Sequence, residues 1–224
     1  MSPVKRPISL SPQKVRSSLI TENSTRKSSN LLKCAWTLDK LEFGKVLGRG
    51  KLGRVLQAKL DFLEVAVKIM PQELKKYASI ETEIMSMFSH PLIISSYGDL
   101  EDKDSVYILL EYISTGDLFH IMRKRRLRQN EITFYAAELL VILDMLHCKN
   151  VVYRDLKPEN VMVCETGHLK LIDFGLSKIL QEDRTYTLCG SPEYMAPEVL
   201  TKQGYSFSVD YWALGVLIYE LYCG

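Results

Sequence analysis

The chain lacks any apolar run of the roughly 18 residues that a membrane-spanning helix needs. Its most apolar stretches, 139–146 and 212–223, are shorter and carry Asp144 and Glu220, which predicts buried helices. No apolar signal-peptide core follows the first residues, and Ser2 stands where N-myristoylation requires glycine. Cysteine is scarce. The five thiols (Cys34, Cys148, Cys164, Cys189 and Cys223) are odd in number and show no paired spacing, which speaks against a disulfide framework or a zinc site. These features together predict an intracellular protein, cytoplasmic or nuclear. A large charge imbalance is also missing. The net charge of +2 gives no electrostatic reason to expect a nucleic-acid or membrane partner. Internal repeats are absent. Acids and aromatics are nearly missing from residues 1–33, where Glu22 is the one carboxylate amid Ser, Lys and Arg. Such a stretch buries too little apolar area to offset its ordering entropy, so residues 1–36 are expected to form a disordered basic tail. The composition also suits a transit peptide, but amphipathic periodicity is lacking.

Beyond the tail, Leu41-Glu42-Phe43-Gly44-Lys45-Val46-Leu47 alternates like a half-buried strand. Residues 54–59 alternate again, Val65-Ala66-Val67-Lys68-Ile69 is β-branched, and Pro71 stops it. A helix is expected over 73–88 and another strand over 105–112. After Gly116 the character changes. A long helix is expected with Asn130 as its cap and a stripe of Ile132, Tyr135, Leu139, Leu143 and Leu146. Two short strands flank Gly167, and a very apolar helix runs over 209–222 with Ser208 as its cap. A sheet-rich half followed by a helix-rich half is an α+β layout.

Four segments carry chemistry. Gly48-Arg49-Gly50-Lys51-Leu52-Gly53-Arg54-Val55 is a G-x-G-x-x-G-x-V loop, in which glycines let backbone amides approach phosphate oxygens. A dinucleotide fold would place a helix after this loop, whereas the continuation alternates as a strand, and the Walker pattern is absent. A hairpin lying over a triphosphate fits. Lys68 is a lone cation in an apolar strand, suited to phosphates if a carboxylate holds it. Glu81 and Glu83 are the candidates. They point to nearly opposite faces, and Glu81 shares its face with Met85, which favours Glu81. In Tyr153-Arg154-Asp155-Leu156-Lys157-Pro158-Glu159-Asn160, Asp155 can accept a hydroxyl proton and Lys157 can neutralise a moving phosphoryl group. Asn160, with the aspartate of Asp173-Phe174-Gly175, offers the hard oxygens that Mg²⁺ prefers. The run Arg123-Lys124-Arg125-Arg126-Leu127-Arg128 is read as a solvated surface rather than a nuclear or nucleic-acid signal.

With Ala196-Pro197-Glu198 further on, six motifs stand in one order. Residues 41–224 resemble the eukaryotic protein kinase family. The resemblance implies a two-lobed fold: a small antiparallel-sheet lobe with one main helix over 37–112, and a mainly helical lobe over 113–224. It implies ATP and Mg²⁺ as cofactors and a serine/threonine protein kinase activity. Lys68 would bind the α- and β-phosphates and pair with Glu81, Asp155 would be the base with Lys157 beside it, and Asn160 and Asp173 would hold Mg²⁺. ATP would lie among Gly48, Arg49, Gly50, Lys51, Leu52, Gly53, Val55, Ala66, Lys68, the gatekeeper Leu110, the hinge residues Glu111 to Ile113, Asp117 and Met162. Lys157, two residues past the base, resembles the serine/threonine branch, and Tyr153 in place of the usual histidine, with the stretches 187–194 and 209–215, resembles the cyclic-nucleotide-dependent (AGC) kinases within it. There, Asp117 and Glu159 resemble acids that read basic side chains upstream of the target residue. Thr187 resembles the phosphorylated switch of the activation segment, with Arg154 and Lys178 as phosphate partners. Protein substrates and a regulatory subunit are the implied partners; neither a membrane span nor nucleic acid is.

The likeness has departures. Ser96 falls where the family's regulatory hydrophobic stack usually has leucine, although Met85, Phe174 and Tyr153 are present. The family pattern continues past Gly224, so the resemblance implies a large lobe cut short after its central apolar helix, with an exposed apolar patch. The alternative reading is a truncated nucleotide-binding or decoy module with little transfer activity.

Overall fold

The structure, a computed structural model, describes residues 36–50 and 52–224. The basic tail, Cys34 and the loop residue Lys51 lie outside the described residues. Five strands form one antiparallel sheet: β1 (Leu41–Gly50), β2 (Gly53–Leu60), β3 (Leu63–Pro71), β4 (Ser96–Glu101) and β5 (Ser105–Glu111), in the order β1-β2-β3-β5-β4. Helix α1 (Lys75–Ser86) follows β3 after a 3₁₀ turn over Gln72–Leu74. The helix therefore starts two residues later than the sequence pattern indicates, because Pro71 leads into the tighter turn.

The remainder is helix-rich. It holds α2 (Leu118–Lys124), α3 (Gln129–His147), the short α4 (Pro197–Leu200) and α5 (Ser208–Cys223). Two small ladders sit beside them: β6 (Val151–Val152) with β9 (Lys178–Ile179), and β7 (Val161–Val163) with β8 (Leu169–Leu171). Helix α3 buries Ile132, Tyr135, Leu139, Ile142, Leu143 and Leu146, a stripe at helical spacing. Each such side chain contributes about 1.5–3 kcal/mol on full burial. The same core continues through Met70, Ile84, Met85 and Ile108 of the sheet-and-α1 half, and through Leu214 and Leu217 of α5. The α+β assignment stands.

Several local expectations need correction. Strand β1 forms, but of its residues only Leu41 is buried; Phe43 and Val46 are exposed, with Phe43 resting against Tyr107 at 6.3 Å between ring centres. Alternation there marks an extended conformation and not a covered face. Asn130 is not the cap of α3. The cap is Arg128, and Glu131 accepts its backbone N–H at 2.8 Å while gripping Arg125 through both carboxylate oxygens at 3.0 and 2.7 Å. Ser208 is the first residue of α5 and not its cap, which is Phe207. The two apolar stretches are only half covered: Leu140 and Val141 of α3, and Tyr211, Trp212, Tyr219 and Tyr222 of α5, face outward. Among the described residues no helix is long and apolar enough to cross a membrane.

Candidate active site

Strand pairing aligns the first group of site residues. Val55 lies opposite Lys68, and Ala66 opposite Leu110. Residues paired across a ladder share a face and side chains alternate along a strand, so Val55, Ala66, Lys68 and Leu110 occupy one face of the sheet. The Gly-rich segment joins β1 to β2, with Gly48 opposite Val55, Arg49 opposite Arg54 and Gly50 opposite Gly53. Gly53 is obligatory by packing, since a Cβ there would stand 2.2 Å from the Ile69 carbonyl oxygen. At Gly175 a Cβ would meet Leu52 at 2.9 Å and both Lys68 Nζ and Asp173 Oδ1 at 3.1 Å. The loop residue Leu52 and the Lys68 ammonium therefore both lie against Gly175 of the Asp-Phe-Gly turn.

Lys68 is buried in mid-strand, and its ammonium donates to Glu81 Oε1 and Oε2 at 2.7 and 2.8 Å and to Asp173 Oδ1 at 2.7 Å. Burial alone would lower the lysine pKa; the carboxylates of Glu81 and Asp173 outweigh it and hold the group above its ordinary value. Burial likewise works to raise Asp173, and the Lys68 ammonium more than offsets it, keeping that carboxyl below its usual range. Glu83 faces solvent, so the choice of Glu81 over Glu83 from helical facing matches the geometry. Asp173 is held in the left-handed backbone region (φ 55°), and its side chain stays 46% exposed, open to a ligand.

Asp155 is the second centre. Its Oδ2 accepts from Asn160 Nδ2 at 2.9 Å and pairs with Lys157 Nζ at 3.1 Å, and its Oδ1 accepts from Ser191 at 2.8 Å. Lys157 in turn donates to Ser191 Oγ at 2.8 Å. The loop that carries Asp155 is fixed from below. Arg154 adopts φ 71°, and Asp210, buried at the start of α5, accepts the backbone N–H groups of Tyr153 (2.9 Å) and Arg154 (2.8 Å) as well as pairing with His147 at 2.8 Å. The Tyr153 ring meets Phe174 edge-on at 5.5 Å, tying this loop to the Asp-Phe-Gly turn. Ser96, half-buried, lies opposite Leu110 in the β4–β5 ladder.

The donor set suits Mg²⁺. Asn160 Nδ2 is committed to both the Asp155 carbonyl (2.8 Å) and its carboxylate, which orients Asn160 Oδ1 as the free acceptor. With Asp173 it supplies two hard oxygens. Mg²⁺ would take its remaining ligands from phosphates and water.

Other expected residues have mixed placements. Asp117 caps α2, accepting from His120 N at 2.7 Å, and bridges to Met162 of β7. Glu159 is exposed in the 3₁₀ turn Pro158–Asn160. Thr187 is exposed, its carbonyl accepting from the Tyr205 hydroxyl at 2.5 Å. Lys178 meets Thr185 Oγ1 at 3.0 Å, and Arg154 donates to the Leu176 carbonyl at 2.6 Å and to Tyr205 at 3.4 Å. Sequence reasoning missed Ser191 and Asp210 as functional residues, although both lie within stretches it quoted; nothing in a lone serine or a helical aspartate signals such partners. It also missed Lys170, which pairs with Glu111.

A profile described as "Protein kinase domain" matches residues 41–224. The chain is 38% identical to a protein named cAMP-dependent protein kinase catalytic subunit from Arthrobotrys oligospora, across 99% of this chain and 44% of that protein. It is 39% identical to cAMP-dependent protein kinase type 3 of Saccharomyces cerevisiae over 84% of this chain and 50% of the relative. To cAMP-dependent protein kinase catalytic subunit PRKX of Homo sapiens the identity is 40%, over 80% and 52% respectively. The chain thus spans about half the length of these relatives. With the domain match covering the sheet, both charged centres and the final helix, the chain belongs to the protein kinase family.

Proposed function

We propose that the protein is an ATP-dependent serine/threonine kinase that transfers the γ-phosphoryl group of ATP to hydroxyls of protein substrates. The observation that carries this is the Lys68 ammonium held at 2.7 Å from both Glu81 and Asp173, on the sheet face below the Gly-rich loop. Phosphoryl transfer asks for placed charge and little covalent chemistry. Lys68, kept charged by its two carboxylates, binds phosphate oxygens. Asn160 and Asp173 would hold Mg²⁺, which when bound would shield the phosphate charge. Asp155, oriented by Asn160, Lys157 and Ser191, takes the proton of the attacking hydroxyl. The new bond joins the substrate oxygen to the γ-phosphorus, the bond from that phosphorus to the β–γ bridging oxygen breaks, and Lys157 neutralises charge on the moving group. The small lobe is taken as 37–112 and the large lobe as 113–224, with Val55, Ala66, Leu110, the 111–113 hinge and Met162 around the base of ATP.

Glu159, and Asp117 through its uncommitted oxygen, favour substrates with Arg or Lys two or three residues before the target. The relatives' name as catalytic subunits supports a regulatory subunit as partner, and their likeness supports a cytoplasmic setting. The basic run 123–128 is a solvated surface whose basic residues are all exposed, with Arg125 on Glu131 and Arg123 over Phe119 at 5.6 Å. The decoy reading is disfavoured because both charged centres are assembled. Phosphorylation of a degenerate Ser/Thr peptide library in MgATP is the test: enrichment of basic residues upstream is expected, and flat selection would reject the proposed specificity.

A further inference from the structure

Lys170 is, among the described residues, a buried cation that this mechanism does not use. It lies at the centre of β8, opposite Met162 of β7, only 8% exposed. A lysine normally keeps its ammonium in water, and burying one without a counter-charge is costly. Here both oxygens of Glu111 meet the ammonium, at 2.6 and 2.7 Å. Glu111 is the last residue of β5, where the chain leaves the sheet for the segment proposed to hold adenine.

The surroundings give this pair a role beyond neutralisation. Glu111 Oε2 also accepts from Ser95 N at 3.3 Å, while Glu111 N donates to the Ser95 carbonyl at 3.0 Å. The preceding segment is pinned to β8 as well: Leu171 N donates to the Leu92 carbonyl at 2.8 Å and Ile94 N to the Leu171 carbonyl at 3.0 Å. The segment after β5 is fastened to β7, where Val163 N donates to the Gly116 carbonyl at 3.1 Å and Asp117 bridges Met162. The segment between α1 and β4 and the segment that leaves β5 thus both run over the β7–β8 hairpin, and the Lys170–Glu111 pair lies where they meet.

We propose that Lys170 is a positioning residue that braces the hinge, its pairing with Glu111 holding the exit of β5 in the arrangement that accepts ATP. The inference rests on the kinase reading. Hinges are the few element-terminal residues that absorb domain closure. A brace there raises the fraction of molecules competent to bind, and apparent affinity scales with that fraction. Its loss weakens nucleotide binding without touching the groups that meet the transferred phosphoryl.

The test is a calorimetric titration of the full chain with MgATP, in wild type, K170Q, the neutral pair E111Q/K170Q and the exchanged pair E111K/K170E. Binding about fivefold weaker is expected in K170Q and in the neutral pair, with the exchanged pair recovering to within about twofold of wild type. In steady-state assays the KM for ATP rises in K170Q while the KM for peptide does not. Unchanged affinity in K170Q and the neutral pair, or a loss that the exchanged pair fails to recover, overturns the brace. If K170Q alone does not fold, because it leaves the half-buried Glu111 carboxylate without its cation, the neutral pair is read instead. A neutral pair that also fails to fold makes the contact structural and overturns the proposal. Wild-type protein that binds no ATP sinks the kinase reading itself, a result distinct from all of these.

Discussion

Ser191 donates its hydroxyl proton to Oδ1 of Asp155 at 2.8 Å. Together with Asn160 and Lys157 on Oδ2, this fixes both carboxylate oxygens in the position from which a base would act. S191A is expected to lower kcat by about ten- to a hundredfold, the scale of a displaced reacting group. S191T, which keeps the hydroxyl, should retain most activity. Steady-state kinetics at saturating MgATP decide it, and S191A with wild-type kcat would remove Ser191 from the site.

The ion triad at Lys68 makes a sharper demand. K68M should reduce kcat by about 10²- to 10³-fold, as for loss of one preorganised charge. K68R should not rescue it, because a planar guanidinium does not replace a compact ammonium between two carboxylates. E81Q should both weaken MgATP binding and lower kcat, since Lys68 then keeps Asp173 as its carboxylate partner. Melting curves run beside the kinetics separate these effects from unfolding, and K68R with near-normal turnover would contradict the triad.

The activation segment is already docked in this structure: Thr185 and Tyr205 exchange backbone hydrogen bonds at 2.8 and 2.9 Å, and the Tyr205 hydroxyl reaches the Thr187 carbonyl. Thr187 itself is exposed, with Arg154 and Lys178 on the same segment's supports. A phosphate there adds roughly −1.5 to −2 charges. T187A is expected to lose about tenfold or more in kcat relative to protein shown by intact mass to carry the phosphate. Phosphatase treatment should reduce wild type to the same level. Equal activity before and after dephosphorylation would dismiss the switch.

Glu131 sets a pH dependence remote from the chemistry. The hydrogen bond from Arg125, aided by the Arg128 backbone, depresses its carboxyl to about 2, below its unfolded value. A depressed carboxyl stabilises the fold above its unfolded pKa and loses that contribution as pH falls through the folded one. E131Q should therefore be less stable than wild type by about 0.5–1 kcal/mol at pH 7, the modest scale of a mostly solvated cap and ion pair. The gap should narrow between pH 4.5 and 2. Denaturant midpoints at pH 7 and 3.5 measure it, and a gap that stays constant would refute the assignment.

Much of this fold and site was legible because the signals are local. Lys68 stood out as a cation inside a β-branched run, and helical facing alone separated Glu81 from Glu83. Asp155, Lys157 and Asn160 fall within six residues of one another, and their mutual hydrogen bonds follow from that closeness. What stayed hidden depends on tertiary approach. Ser191 reaches Asp155 across 36 positions, and Asp210 reaches Arg154 across 56. Lys170 and Glu111 lie 59 apart, in strands whose patterns give no hint that they meet. The caps of α3 and α5 were misplaced for a related reason. Asn130 and Ser208 have the right chemistry, but the chain enters each helix earlier, at Arg128 and Phe207, where Glu131 and the preceding loop set the first turn. The exposed β1 shows the same limit: alternation fixes the backbone without saying what covers it.

The charges gathered around Lys68 and Asp155 are proposed to transfer a phosphoryl group. Incubating the chain with γ-labelled ATP, Mg²⁺ and an Arg-rich serine peptide, with D155N in parallel, tests this directly. Labelled phosphoserine is expected with wild type, and a rate lower by about 10²-fold or more with D155N. Equal labelling by both proteins, or none by a wild type that binds MgATP, would contradict it.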